Sequence, residues 1–378
     1  MRYSRKRANP KKIIAGFQEV FKGVCVKKTS QRNFLLTVIA VSVSKTFRIN
    51  AIASRLPIDV VKEKSKQKRL LRFLETPFPC QEVIRARLAS VLGRVWCSKR
   101  ARQQGLILID ETDLPVGWKA LVASASFRNR SIPIDWHIYK NEEISDGTYK
   151  SHNEIIQKFC VALHEAILQA TDDKSVEPVY VFDRGFARAR YVIKFLDDRG
   201  ITVVMRVPRN VGVHVDGSLR KLDDLEEGGY SDILYQATEA LPLTLYVVRD
   251  EAHEDLMYLI SNRIEGRQIH ADYKRRMQVE HGFRDIKSCF NFKDLVLKKS
   301  EKPRSDLLFW IVVFAYGLLF LTYEKAAGIW AKTFQGSKRK IYSVITIIKK
   351  GIDEMWTHET LLLFTQQTCL RNLDFLTP

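Results

Sequence analysis

The sequence predicts a mixed α/β domain behind a basic helical domain, and three observations carry that prediction. Two short apolar runs, LILID at 106–110 and PVYVFD at 178–183, each end in an aspartate, as expected of buried strands whose ends open on a site. Stretches with apolar residues at helical spacing lie between and after them. The charge is also divided: residues 1–100 hold 24 Lys/Arg and 5 Asp/Glu, whereas residues 101–378 hold 38 of each. The whole net charge of +19 therefore sits in the first quarter of the chain, an asymmetry that separates a polyanion-binding part from a part with another task.

Residues 1–100 read as helices joined by short turns. NFLLTVIAVSVSKTFRINAIASRL supplies apolar residues, and after Pro57 the stretch VVKEKSKQKRLLRFLE carries Lys62, Lys64, Lys66, Lys68, Arg69 and Arg72 ahead of an apolar end. Two helices around a turn, the second loaded with cations, suit a helix-turn-helix-like contact with DNA, with Lys64, Lys66, Lys68 and Arg69 as candidate phosphate contacts. A solvated basic helix face is the competing reading.

Residues 101–206 form the first part of the α/β domain. LILID is a strand, and KALVASASF and SIPIDWHIY are two more, joined by the turn-like RNR. HNEIIQKFCVALHEAILQA repeats Ile155, Ile156, Phe159, Val161, Leu163, Ile167 and Leu168 at helical spacing, and PVYVFD, ARARYVIKFLDD and ITVVMRV read as strand, helix and strand. Residues 207–262 change character: TLYVVRD and DLMYLIS alternate with turns at Asp216-Gly217 and Gly228-Gly229, predicting a β-rich insertion. Helical pattern resumes near Arg267, giving a second part of the α/β domain over 263–330 and a C-terminal helical region over 331–378.

Composition excludes several classes. At 46% hydrophobic and 28% charged, the chain is neither disordered nor collagenous. Its six cysteines lie far apart with no C-x-x-C pair, so neither a zinc site nor a disulfide framework is indicated, and a reducing cytosol fits. No apolar stretch with a cleavage site follows MRYSRKRANPKK, so no secretory signal is expected. LLFWIVVFAYGLLFL, at 307–321, falls short of the roughly 20 residues that a bilayer needs and reads as a core helix.

The chemistry concentrates in ADYKRRMQVEHGFRDIKSCF. Taken as one helix at 100° per residue, Tyr273, Arg276, Glu280, Arg284 and Lys287 fall on one stripe beside the apolar Val279, Phe283, Ile286 and Phe290. A carboxylate flanked by cations and a tyrosine suits metal and phosphate; ordinary charge pairing along a helix is the alternative. Asp110 and Asp183 are the matching acids. Period-2 geometry turns Glu111 and Asp113 to the other face of the first strand. Asp172, Asp173, Asp197 and Asp198 read as solvated, and His281 falls off the stripe.

Tyr273, Arg276, Glu280 and Lys287 match the Y-(2)-R-(3)-E-(6)-K signature, and the chain resembles the insertion-sequence DDE transposases of the YREK, or IS-four-like, type. Asp110-Glu111-Thr112 resembles the family's D-x-T element, and Asp183-Arg184-Gly185-Phe186 resembles its D-R-G-F element. The resemblance covers about residues 100–330. It implies an RNase H-like mixed sheet flanked by helices, in which Asp110, Asp183 and Glu280 are catalytic and bind two divalent cations, Mg²⁺ or Mn²⁺. Close carboxylates need such neutralisation, and hard cations prefer oxygen. Arg276 and Lys287 would grip phosphates, joined by Arg184 and Arg284, and Tyr273 would contact the DNA backbone. The implied activity is cleavage at transposon ends and strand transfer into target DNA by a prokaryotic, cytoplasmic protein. Its partners are the terminal inverted repeats, the target DNA and, in the DNA complex, a second copy; a nuclease without strand transfer and a catalytically inactive DNA-binding regulator are the alternatives. Residues 184–279 hold no tryptophan for stacking a flipped base, and the sequence does not choose among Tyr230, Tyr235, Tyr246 and Tyr258 as a substitute.

Overall fold

The structure, a computed structural model, describes residues 27–56, 58, 62–79, 105–114, 117–127, 130–170, 177–186, 190–235, 241–249, 255–290, 302 and 304–316. The region expected over 331–378 and the Asp172-Asp173 pair lie outside them. The chain divides into one unit of Met1–Val91, Asp113–Trp118 and Phe283–Pro378, and another of Leu92–Thr112 and Lys119–Gly282.

In the first unit, helix α1 (Lys28–Ser44) is followed by α2 (Ile49–Ser54) and α3 (Glu63–Leu74). The segment read as one apolar stretch is two helices, because Lys45 takes a left-handed conformation with φ 52° and stops α1. Every residue from Phe34 to Ser42 is buried, so α1 is a core helix rather than an amphipathic one. Its hydroxyls survive there by bonding back along the helix, Thr37 Oγ1 to Asn33 O at 2.7 Å and Ser42 Oγ to Val38 O at 2.8 Å. Phe34 meets Trp310 and Phe314 at ring distances of 5.6 and 5.3 Å, so part of the long apolar run is core. Among the described residues no helix is long and apolar enough to cross a membrane.

The second unit is built on one ten-stranded sheet. In chain order the elements after α3 are β1 (Gly105–Asp113), β2 (Lys119–Phe127), β3 (Arg130–Tyr139), α4 (Glu142–Ser145), α5 (His152–Ala170), β4 (Pro178–Phe182), α6 (Arg190–Asp197), β5 (Thr202–Val207), β6 (Gly212–Val215), β7 (Ser218–Lys221), β8 (Gly228–Tyr235), β9 (Leu241–Arg249), β10 (Leu256–Ser261), α7 (Arg267–Lys274) and α8 (Met277–Phe290), with the last residue of β1 and α8 from Phe283 onward counted in the first unit. A further helix, α9, spans 304–316 in the first unit. The strand order is β3-β2-β1-β4-β5-β10-β9-β8-β6-β7, with β4 parallel to both β1 and β5 and β3 antiparallel to β2. This mixed sheet with flanking helices is consistent with an RNase H-like core. Parallel interior strands are covered on both faces, which is why β4 is apolar and buried at all five positions. In α5, Ile155, Ile156, Phe159, Leu163 and Ile167 are buried, whereas Val161 is half-buried and Leu168 is exposed, so these two lie off the buried stripe; in α6, Val192, Ile193 and Leu196 are buried.

The described residues of the β-rich stretch expected over 207–262 form strands and turns with one short 3-10 helix, Leu222–Asp224, and the strands extend the same sheet. β10 pairs antiparallel with β5, Tyr258 opposite Val207 and Ile260 opposite Met205, and β9, β8, β6 and β7 continue outward. The β6–β7 hairpin turns at Asp216 (φ 50°) and Gly217 (φ 75°), the paired positive values that an Asp-Gly two-residue turn provides. β7 closes the sheet with four exposed residues, Arg220 and Lys221 among them, so cations guard the free edge.

One expectation is corrected. The segment from Tyr273 to Phe290 is not a single helix: α7 ends at Lys274 and α8 begins at Met277. Across the joint the amide bonds run three residues back, Arg276 N to Tyr273 O at 2.8 Å and Val279 N to Arg276 O at 2.9 Å. Such tight turns have about three residues per turn, so Arg276 lies nearly over Tyr273 instead of 60° away. The guanidinium carbon of Arg276 is accordingly 5.9 Å from the Tyr273 ring centre.

Candidate active site

Two acids arrive on strand ends and one on a helix. Asp110 lies near the end of β1, Asp183 directly follows β4, and β1 and β4 are adjacent and parallel, with Ile109 opposite Phe182. The aspartates therefore emerge side by side. Glu280 lies in the first turn of α8, which approaches β3 closely enough that a Cβ added to Gly282 would sit 2.5 Å from Ser131 Oγ. Glycine is there for proximity; helical propensity argues against it.

Arg276 brings the three acids together. Its NH1 is 3.8 Å from Asp110 Oδ2 and 3.5 Å from Asp183 Oδ2, and its NH2 donates to Glu280 Oε1. The residue is only 5% exposed. Burial works against its charge, but Asp183, Tyr273 and Glu280 outweigh that and hold the guanidinium above its ordinary pKa. Tyr273 donates its hydroxyl to Asp183 Oδ1 at 2.9 Å, and burial, with the Asp183 charge next, pushes its pKa up to about 12, so it remains a donor.

The carboxyl of Asp110 is strongly perturbed. Burial raises its carboxyl to about 6 against an ordinary 3.8, while the amide of Glu111, donating to Oδ1 at 2.8 Å, and Arg276 pull it down, and Asp183 and Glu280 push it up. An acid kept this close to neutrality by desolvation and by its fellow acids is poised for a cation. No group of three or more His, Cys, Asp or Glu among the described residues is already gathered as a metal cage. The fit to divalent cations rests instead on the donor set: three carboxylates, all oxygen ligands, converge on one cationic group. The hydroxyl of Thr112, two residues along β1 from Asp110, is buried without a hydrogen-bond partner among the described residues.

The other sequence-predicted residues are dispersed. Arg184 is exposed on the short 3-10 helix Arg184–Phe186 after β4, and Arg284 and Lys287 are exposed on α8, four and seven residues beyond Glu280. Lys64 and Lys68 are exposed on α3. Lys66 Nζ donates to Leu56 O at 3.2 Å, and Arg69 gives Nε and NH2 to Asn33 Oδ1 at 3.1 and 2.8 Å, so these two cations also brace their own fold. Asp198 pairs with Lys194 on the surface, but Asp197 is not simply solvated: Asn262 donates to it at 2.8 Å, tying α6 to the end of β10. Of the four tyrosines, Tyr235 and Tyr258 are buried, whereas Tyr230 and Tyr246 are half-exposed.

Sequence reasoning set Glu111 aside for facing away from Asp110. It does face away, but it is held by Lys119, Tyr139 and His152. Burial alone would raise its carboxyl; those three hydrogen bonds overcome it and hold the group down at about 2. The signal in the sequence was weak, because Lys119 and Tyr139 become neighbours only through the β2–β3 register.

Residues 158–317 match the family model described as Transposase DDE domain. The matched range contains Asp183, Tyr273, Arg276, Glu280, Arg284 and Lys287, and begins after Asp110. No curated protein matches the chain.

Proposed function

We propose, from the premise that the chain belongs to the insertion-sequence DDE transposases, that it cuts DNA at the ends of its own element and joins the freed 3′-hydroxyls to target DNA. Asp110, Asp183 and Glu280 would hold two divalent cations, Mg²⁺ or Mn²⁺, which when bound activate an attacking hydroxyl and stabilise the leaving oxygen of a phosphodiester. The observation that carries the reading is the convergence of these three acids on the single guanidinium of Arg276. A DNA-binding regulator has no need of clustered carboxylates in front of a polyanion.

The chain's own groups have separate tasks. Tyr273 fixes the Asp183 carboxylate through its hydroxyl proton, leaving the second oxygen, Oδ2, towards Arg276. Arg276 neutralises the acids and, with its planar fork, recruits phosphate. Arg184, Arg284 and Lys287 take phosphates along the DNA backbone. The basic first quarter positions the duplex without reading its sequence, and a second copy of the chain brings the other end.

The test is incubation of the protein and Mg²⁺ with DNA carrying the inverted repeats that flank its coding sequence. The wild type cleaves and joins, whereas Glu280→Gln binds the ends and does neither. Retained cleavage by Glu280→Gln sinks the assignment of that acid, and cleavage without joining by the wild type means a nuclease.

A further inference from the structure

Glu111 adjoins Asp110 in sequence, but its side chain points to the other face of β1 and meets three elements. Lys119 Nζ on β2 donates to Oε1 at 2.7 Å, His152 Nε2 at the first residue of α5 lies 2.8 Å from Oε2, and the Tyr139 hydroxyl on β3 donates to the same oxygen. Lys119 and Tyr139 are register partners across the hairpin. The carboxylate can only accept, so Nε2 of His152 carries the hydrogen.

This anchorage reaches both aspartates. The backbone amide of Glu111 is the donor that holds Asp110 Oδ1 at 2.8 Å, so fixing the Glu111 side chain fixes the group that orients Asp110. The His152 ring stacks on Phe186, with centroids 6.3 Å apart and planes at 19°. Phe186 ends the turn that Asp183 begins, and its amide donates to Asp183 O at 3.0 Å. A continuous path thus runs from Asp110 through Glu111, His152 and Phe186 to Asp183.

We propose that the Glu111–His152–Phe186 bridge is a positioning device that sets Asp110 and Asp183 at the separation needed to bind divalent cations. The proposal rests on the metal-binding reading given above. Partners outside a metal's ligand shell, when removed, weaken metal affinity by roughly 10- to 100-fold.

The experiment is calorimetric titration of the full chain with Mn²⁺ alone, without DNA. Glu111→Gln and His152→Phe, the second of which keeps a ring against Phe186 but has no donor, each weaken Mn²⁺ binding by on the order of tenfold. His152→Gln, which restores an N–H near the Nε2 position, stays within about twofold of the wild type, a rescue that a space-filling role does not produce. The double variant is no weaker than the worse single one, because both break the same bridge. The His152 side chain is 40% exposed, so His152→Phe carries the test should Glu111→Gln fail to fold. Unchanged Mn²⁺ affinity in a folded His152→Phe overturns the proposal. Asp110→Asn and Glu280→Gln serve as references: if they abolish Mn²⁺ binding while His152→Phe leaves it intact, only the bridge is wrong. If they leave it intact as well, the metal-binding reading and the bridge both fall.

Discussion

Asp110 offers a stability measurement independent of catalysis. Its carboxyl titrates at about 6 in the fold against an ordinary 3.8, and its side chain is 19% exposed, so solvent screens it little. At about 1.36 kcal/mol per pKa unit, holding the group ionised in the fold costs about 3 kcal/mol. The sign follows from which state protonates first. At pH 8 the carboxyl is ionised in both states and the whole cost falls on the fold. As pH drops through about 6 towards 3.8 the folded group takes up its proton first, and the cost disappears. Asparagine keeps an oxygen for the Glu111 amide and carries no charge. Asp110→Asn is therefore more stable than the wild type by up to about 3 kcal/mol in urea denaturation at pH 8 with EDTA, and the difference closes by about pH 4. Equal or lower stability at pH 8, or a difference that ignores pH, refutes the argument that burial and neighbouring acids strain this site.

Other substitutions report on neighbouring links. Gly282→Ala destabilises by about 1–3 kcal/mol because its Cβ meets Ser131 Oγ, and adding Ser131→Ala turns the loss into a gain of up to about 1 kcal/mol through helical propensity, both read by thermal denaturation. Lys64→Ala with Lys68→Ala, two exposed cations on α3, reduces the slope of log affinity for end DNA against log salt by about 2, measured by fluorescence anisotropy. An unchanged slope means that α3 does not face the phosphates.

Much of this architecture was legible because burial writes a plain pattern. β1 and β4 are continuous apolar runs since both faces of an interior parallel strand are covered, and the acids mark where covering ends. The stripe on α5 was equally readable at helical spacing. The joint between α7 and α8 was not, because Lys274, Arg275, Arg276 and Met277 all favour helix and only tertiary packing breaks it there. The angular reading placed Tyr273, Arg276 and Glu280 side by side, and they do adjoin, but for a different reason: the tight turn, rather than a continuous helix, stacks Arg276 over Tyr273. Nor could spacing reveal that Arg276 would be buried among the acids, since that depends on the pairing of β1 with β4. Glu111 was dismissed by a correct geometric rule that says nothing about what waits on the other face.

The central claim is that Asp110, Asp183 and Glu280 act on DNA through divalent cations, and exchanging one ligand's hardness tests it most directly. Thiolate binds Mg²⁺ poorly and softer cations better, so Asp183→Cys ties activity to the identity of the metal. The account predicts that Asp183→Cys fails to cleave end DNA in Mg²⁺ and regains cleavage in Mn²⁺, while the wild type works in both. Cleavage by Asp183→Cys at the wild-type rate in Mg²⁺ would contradict it, because Asp183 would then hold no metal.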